Sequence, residues 1–598
     1  MNVQLHERPV PEHEISSADF ENDFSRASMG TRLRAGLHRV FSPLPKPPAW
    51  SHDKPIRAEL FSIERLEQHA RSLAAAQPIA PKPTTDRRLE KRLHDNDRAL
   101  RAAYHATISA IRSERGITPA ANWLIDNFHV VEEQVQAIRT DLPPGFHRQL
   151  PKLIDGPFKG YPRVFGLAWA FVAHTDSQFD PRMLCRFLSA YQLVQPLTIG
   201  ELWAVPITLR VVLVENLRRL ADGIVEHEAA RHEANSMADR LLGAGSHEPE
   251  PTDAVLGRID RPLSAPFAAQ LAQRLREQDP RVIPALLWLD ERLAAQNTTA
   301  DIIVHEEQQR QGAANVTIRN VITSMRLLSA IDWRELFESV SLVDAVLSAE
   351  SNFAALDFPT RDLYRRAIEE LARGSGQSEI EIARLALREA RRARDQVRSK
   401  GDVASVRQQD PGYYLVADGR TAFQTTVGFH VTIKGWLSRA NAAAGISAYI
   451  AVVAAVMVVI AILMLSWDAE RDGYWALFGL ALLALIPASE AAMALVNCGA
   501  TNRFEAITLP SLELSGGVPS GLRTAIVVPT LLTSRDMIAE QIERLEVHHL
   551  ANSDGDLCFV LLTDWTDSAT ESVAGDDALL NDAAKGIAAL NRRHGPAP

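Results

Sequence analysis

Hydrophobic positions along this chain change period twice. From about Thr85 to Val397 they recur every three or four residues, the spacing of helices that bury one face. Ile199 to Ala221 is a clear case, with Leu202, Val205, Leu209, Leu213, Leu217 and Leu220 on one side. Thr198 followed by Glu201 is a capping box that starts this helix. Pro206 lies inside the pattern and should kink it, and Gly223 is placed to end it. Next come two long apolar runs, Ile446 to Ser466 without a charge and Tyr474 to Val496 with Glu490 alone. Each meets the length of about 20 apolar residues that a bilayer core demands of a helix. After them the period shortens. Thr524 to Thr530 (TAIVVPT) and Leu557 to Thr563 (LCFVLLT) read as buried strands, and between them Ile538, Ile542 and Leu545 share a helical face. Strand, helix and strand of these lengths predict a βαβ unit with parallel strands and a right-handed crossover.

The expected fold class is mainly α: a multi-domain membrane protein with a large helical region, two transmembrane helices and an α/β part after them. Residues 1–54 are polar and rich in proline, which predicts a disordered tail. Residues 55–432 form the helical domain, 440–500 the transmembrane pair and 520–598 the α/β part. Ala76 to Thr85 reads as a linker, Ala244 to Asp253 as a polar break, and the mixed-charge run Arg384 to Lys400 as a solvated helix. Lys434 and Arg439 before the first span and Arg503 after the second are basic, whereas the link Trp467 to Gly473 is net negative. Positive charge stays inside, so both ends are expected in the cytoplasm. The N-terminus has no apolar core and is not a secretory signal. A buried helical hairpin in a soluble protein is the alternative for the two runs.

Composition removes several functions. Net charge is -10, and no basic run argues for nucleic acid. Cys185, Cys498 and Cys558 are scattered and match no metal spacing. His227 and His232 are five apart, about 140° around a helix, so they do not make a zinc pair with Glu228. Asp554-Gly555-Asp556 spells a DxD but precedes its strand, which favours a glycine turn. Trp169, His174, Asp176, Tyr191, Gln192 and Trp203 fit helix packing better than a sugar site. In parallel sheets ligands bind beyond the carboxyl ends of the strands. Thr530 ends the first strand there, and Asp564 and Asp567 follow the second. A carboxylate in that place can accept hydrogen bonds from a ribose or a base edge; a strand-ending Asp in a turn is the bland reading.

Longer segments carry a resemblance. PAANWLIDNFHVVEEQVQ (Pro119 to Gln136), LPKLIDGPFKGYPRVFGLAWAFVAHTDSQFD (Leu150 to Asp180) and YQLVQPLTIGELWAVPITLRVVLVENLRRLA (Tyr191 to Ala221) are similar to bacterial cyclic β-1,2-glucan synthases. So are Ala314 to Leu347, DPGYYLVADGR (Asp410 to Arg420) and Val527 to Ser568. The resemblance implies a cytoplasmic helical domain, membrane helices of a bacterial inner-membrane protein, and the beginning of a GT-A-type glycosyltransferase domain. It implies transfer of glucose from UDP-glucose to a growing β-1,2-glucan, with Thr530, Asp564 and Asp567 at the uridine end of the donor site. It also implies a divalent metal, Mg or Mn, in the complete enzyme. The family's metal-binding DxD, its catalytic base and its phosphorylase module have no counterpart up to Pro598. The expectation is therefore an incomplete catalytic site that binds no metal by itself. A membrane-anchored helical scaffold without activity is the second expectation.

Overall fold

The computed structural model describes residues 54–80, 88–113, 116–141, 150–243, 250–257, 259, 261–276, 282–397, 406–430, 445–466, 474–503, 509–552, 554–568, 570 and 573–595. The N-terminal tail up to residue 53, the flank Lys434 and Arg439 and the link Trp467 to Gly473 lie outside them. Parts of the linker and of the polar break also do. The chain divides into two compact units, Met1–Gln195 with Ala204–Leu336, and Pro196–Trp203 with Phe337–Pro598.

The first unit is helical. Its elements are α1 (Ile63–Ala76), α2 (Arg88–Arg112), α3 (Pro119–Asp126), α4 (Phe128–Asp141), α5 (Arg163–His174), α6 (Pro181–Gln192), α7 (Ile199–Leu242), α8 (Thr252–Leu256), α9 (Ala265–Arg276), α10 (Ile283–Ala294) and α11 (Ala300–Ala330). α5 is apolar on every side and buried from Arg163 to Ala173 except Trp169, as expected of a helix enclosed by others. α7 starts at its capping box: Thr198 N–H donates to Glu201 Oε2 (2.9 Å) and Glu201 N–H to Thr198 Oγ1 (3.2 Å). All six apolar positions named on its face are buried. Gly223 does not end it. The helix continues to Leu242, about 66 Å in all. A mid-helix glycine costs about 0.5–1 kcal/mol relative to alanine. Burial of Ala234, Ala238 and Leu241 against Phe267 and Leu271 of α9 outweighs it, because each buried apolar side chain is worth a similar amount or more.

The second unit contains α12 (Trp333–Val340, shared across the boundary, as α7 is), α13 (Leu342–Glu350), α14 (Phe358–Ser375), α15 (Glu379–Val397), α16 (Pro411–Leu415) and α17 (Arg420–Thr426). α18 (Ile446–Ser466) and α19 (Tyr474–Arg503) are the apolar pair. β1 (Thr524–Leu531), α20 (Arg535–Ala551), β2 (Leu557–Asp564) and α21 (Asp576–His594) complete it. Arg365 of α14 is fully buried. It donates to Asp344 (3.1 Å) and Glu338 (2.6 Å) and stands over the rings of Phe337 and Phe358.

α18 and α19 are long and apolar enough to cross a membrane. They meet at small residues, Ala461, Ala488 and Ala492, which let helix backbones approach closely. Tyr449 Oη also donates to Asn497 Oδ1 (2.9 Å). Ile450, Ile462, Phe478, Leu482 and Ile486 face outward. A soluble protein's buried hairpin would hide these side chains, so the outward apolar surface favours a bilayer.

The βαβ unit forms as the period predicts. β1 and β2 are parallel, in register from Thr524 opposite Leu557 to Leu531 opposite Asp564. Ser534 caps α20, its Oγ accepting from Met537 N–H (3.3 Å). The expectation that both strands are buried needs correction. Side chains alternate between faces. On one face Leu561, with Leu532 just beyond β1, packs against Ile538 and Ile542 of α20 and Leu579 and Ala583 of α21. On the other, Val527, Leu531, Val560 and Leu562 are exposed. Two strands with both helices on one side leave the second face open.

Candidate functional site

The carboxyl ends of β1 and β2 hold the residues singled out in the sequence. Leu532 N–H donates to Asp564 O (2.9 Å), which extends the ladder one step past the strands. Thr530 pairs with Thr563 and lies on the helix-covered face, 9% exposed. Its hydroxyl is buried and has no hydrogen-bond partner among the described residues. Leaving such a group unsatisfied costs about 1–3 kcal/mol, so a polar partner arriving at this edge gains by meeting it. Asp564 pairs with Leu531 and is on the open face. One of its oxygens accepts from Trp565 N–H (2.8 Å), the bond of a strand-ending turn, and the side chain remains exposed. Asp567 is exposed in the segment that follows. The three residues thus share one end of the sheet, but Thr530 and Asp564 stand on opposite faces of it. A ligand reaching both must lie across the end of the strands. A cavity of about 160 Å³ in this part lies at the other end, beside Leu557, Phe559, His549 and His594.

The remaining candidates resolve as packing or turns. Gly555 has φ +100°, and an added Cβ would lie 2.0 Å from Val518 N, so only glycine fits this turn. Asp556 accepts from Arg523 Nε (2.9 Å). Asp554-Gly555-Asp556 is thus a turn with an ion pair before β2. Among the described residues no group of three or more His, Cys, Asp or Glu is placed to hold a metal ion. His227 faces Glu307 (3.5 Å), while His232 is exposed. Trp169 lies under Arg219 (4.9 Å), His174 stacks on Phe61 (3.8 Å), and Asp176 accepts from Thr317 (2.8 Å). Trp203 and Phe337, both of the second unit, stack on each other (4.4 Å).

Two buried carboxylates were not singled out in the sequence. Glu215 of α7, fully buried, accepts from Arg92 Nε (2.9 Å) and Nη2 (2.7 Å), Asn96 (2.7 Å), Arg218 (3.2 Å) and Arg219 (2.9 Å). Burial pushes its carboxyl up, but the three guanidiniums prevail and hold it at about 2. Glu379, at the start of α15, accepts from Ile199 N–H (2.7 Å). Here burial prevails, with Glu369 and Glu201 adding to it against Arg373, and the carboxyl is pushed up to about 7.

Over 548 residues, 90% of its length, the chain is 36% identical to a protein of Rhizobium meliloti (strain 1021). That relative is the cyclic β-(1,2)-glucan synthase NdvB. It is of the same kind as the family that the sequence segments resemble. The chain spans 19% of NdvB's own length. No protein-family model matches the chain.

Proposed function

We propose that this chain is the N-terminal portion of a membrane-bound cyclic β-1,2-glucan synthase. The observation that carries the proposal is 36% identity across 90% of the chain to NdvB, a protein whose name states that activity. The complete enzyme would transfer glucose from UDP-glucose to a growing β-1,2-glucan. The βαβ unit would be the first part of a GT-A-type domain, with Thr530, Asp564 and Asp567 at the uridine end of the donor. Asp564 keeps a carboxylate oxygen free of the Trp565 bond and would accept from the base or ribose. The Thr530 hydroxyl, buried and unpartnered among the described residues, would gain a partner. The exposed apolar face of Val527, Val560 and Leu562 would be covered by further chain of the same domain. A divalent metal would belong to the complete enzyme.

Donor binding tests the site. In the protein extended by the sequence that follows Pro598, Asp564→Ala should weaken UDP-glucose binding by about 1.5–3 kcal/mol, roughly 10- to 150-fold, the worth of a hydrogen bond to a charged group. Titration calorimetry reads this directly. Unchanged affinity would remove Asp564 from the site.

The donor is a cytoplasmic metabolite, so the βαβ unit should face the cytoplasm of a bacterial inner-membrane protein. The basic flanks of the apolar pair and its acidic link support that orientation. A cytoplasm-active reporter fused after Leu522 should be active, and a periplasm-active reporter inserted at Asp472 should also be active. The reverse pattern contradicts this topology.

A further inference from the structure

The face of α15 that carries Arg384, Arg388 and Arg391 also borders a groove of about 590 Å³ against α13. Its floor is apolar, with Leu342 and Val346 from α13 and Leu387 from α15. The three arginines are exposed and fall at i, i+4 and i+7, a single basic edge along the helix. Arg391 is paired with Glu350 at one end. Arg388 has no ion-pair partner among the described residues. A groove with an apolar floor and a basic edge matches a phospholipid: acyl carbons against the floor, phosphate against the guanidiniums.

The chain's own connections place this groove near the apolar pair. On the way to α18, His430 N–H donates to Gly374 O (3.0 Å) and Gln377 Nε2 to Val427 O (3.1 Å), just ahead of α15. On the way back from α19, Asp357 N–H donates to Ser511 O (3.0 Å) and Glu513 N–H to Ala355 O (2.9 Å), just after α13. Ser511 N–H also donates to Thr360 Oγ1 (2.9 Å), and Arg361 pairs with Glu513 (2.9 Å). Both walls of the groove therefore adjoin the two points where the membrane hairpin is fastened. Eight residues from Arg503 to Ser511 reach at most about 29 Å, and sixteen from His430 to Ile446 about 58 Å. With α18 and α19 in a bilayer, the groove cannot lie far from its surface.

We infer that the α13–α15 groove docks on anionic phospholipid headgroups of the membrane that α18 and α19 cross. The basic edge, read from sequence as a solvated helix face, is then a surface anchor that holds the helical region against the bilayer. This inference rests on the membrane reading of the apolar pair and is independent of the glucan-synthase reading, since its test uses no sugar.

The test is hydrogen–deuterium exchange of the full 598-residue chain in nanodiscs, comparing phosphatidylcholine alone with a phosphatidylcholine–phosphatidylglycerol mixture. Exchange in α13 and α15 should slow with phosphatidylglycerol, by about fivefold for each arginine engaged. The double variant Arg384→Gln with Arg388→Gln should lose this protection. Arg392→Gln, on the same helix but away from the groove, should keep it. Equal exchange in the two lipids overturns the inference, and so does protection in both, which would mean a protein segment fills the groove. Protection produced by inorganic phosphate in phosphatidylcholine discs overturns the lipid assignment.

Discussion

Replacing Glu215 by alanine is expected to destabilise the first unit by about 3–5 kcal/mol, the usual cost of removing one partner from a buried ion pair. The loss has a specific origin. Arg218 is 1% exposed, and Arg92 and Arg219 are largely covered, so three guanidiniums would be left to share Asp222, Tyr161 and backbone carbonyls. Glu215→Gln keeps acceptor and shape while removing charge, and should fall between alanine and the native residue. The pH dependence has a definite sign. Glu215 is held at about 2, below its unfolded value, so its contribution is present above the ordinary carboxylate range and is lost as pH falls toward 2. Thermal unfolding of the detergent-solubilised chain, followed by circular dichroism, checks both points. An alanine variant within about 0.5 kcal/mol of native, the range of ordinary surface changes, would show that the network contributes nothing net.

Glu379→Gln should act in the opposite direction and only above mildly acidic pH. The native carboxyl sits at about 7, above its unfolded value, so the folded state holds its proton longer than the unfolded state does. The stability associated with that proton is complete below the ordinary carboxylate range and is lost as pH rises through 7. A shift of one pKa unit corresponds to ~1.4 kcal/mol, so raising the carboxyl from 4.5 to about 7 makes the loss roughly 3–4 kcal/mol. Glutamine stays neutral and can still accept from Ile199 N–H. It should leave stability nearly unchanged near pH ~4 and raise it by roughly 3–4 kcal/mol near pH ~8. Denaturant unfolding at the two pH values measures this. Equal effects at both would show that Glu379 titrates alike in the folded and unfolded chain.

The two carboxylates also show where sequence reading stops. Local pattern located the capping box at Thr198 and both strands to within a residue, because each depends on neighbours a few positions away. Glu215 and Arg92 are 123 residues apart, and Glu379 and Ile199 are 180 apart. No local period carries such pairs. A sequence signal did exist for Glu215: ENLRR places Glu215, Arg218 and Arg219 at i, i+3 and i+4 inside an otherwise apolar helix, an arrangement that asks for buried partners. Gly223 misled because a helix stop is a local preference of about 1 kcal/mol and packing overrides it. The strands were read as buried from composition, and composition does not say how many neighbours a sheet has. At the candidate site, topology correctly placed Thr530, Asp564 and Asp567 at one end of the sheet. The register then put Thr530 and Asp564 on different faces, a distinction that depends on parity along paired strands.

The central claim, that this chain is part of a UDP-glucose-dependent β-1,2-glucan synthase, is most directly tested by incorporation of labelled glucose. Membranes carrying the 598-residue chain alone would be compared with membranes carrying the chain extended by the sequence that follows it. The extended protein should convert labelled UDP-glucose into β-1,2-linked glucan, and the chain alone should not. Robust synthesis by the chain alone would contradict the claim that its catalytic site is incomplete. A well-folded extended protein that binds UDP-glucose but yields no β-1,2-glucan would contradict the assigned activity.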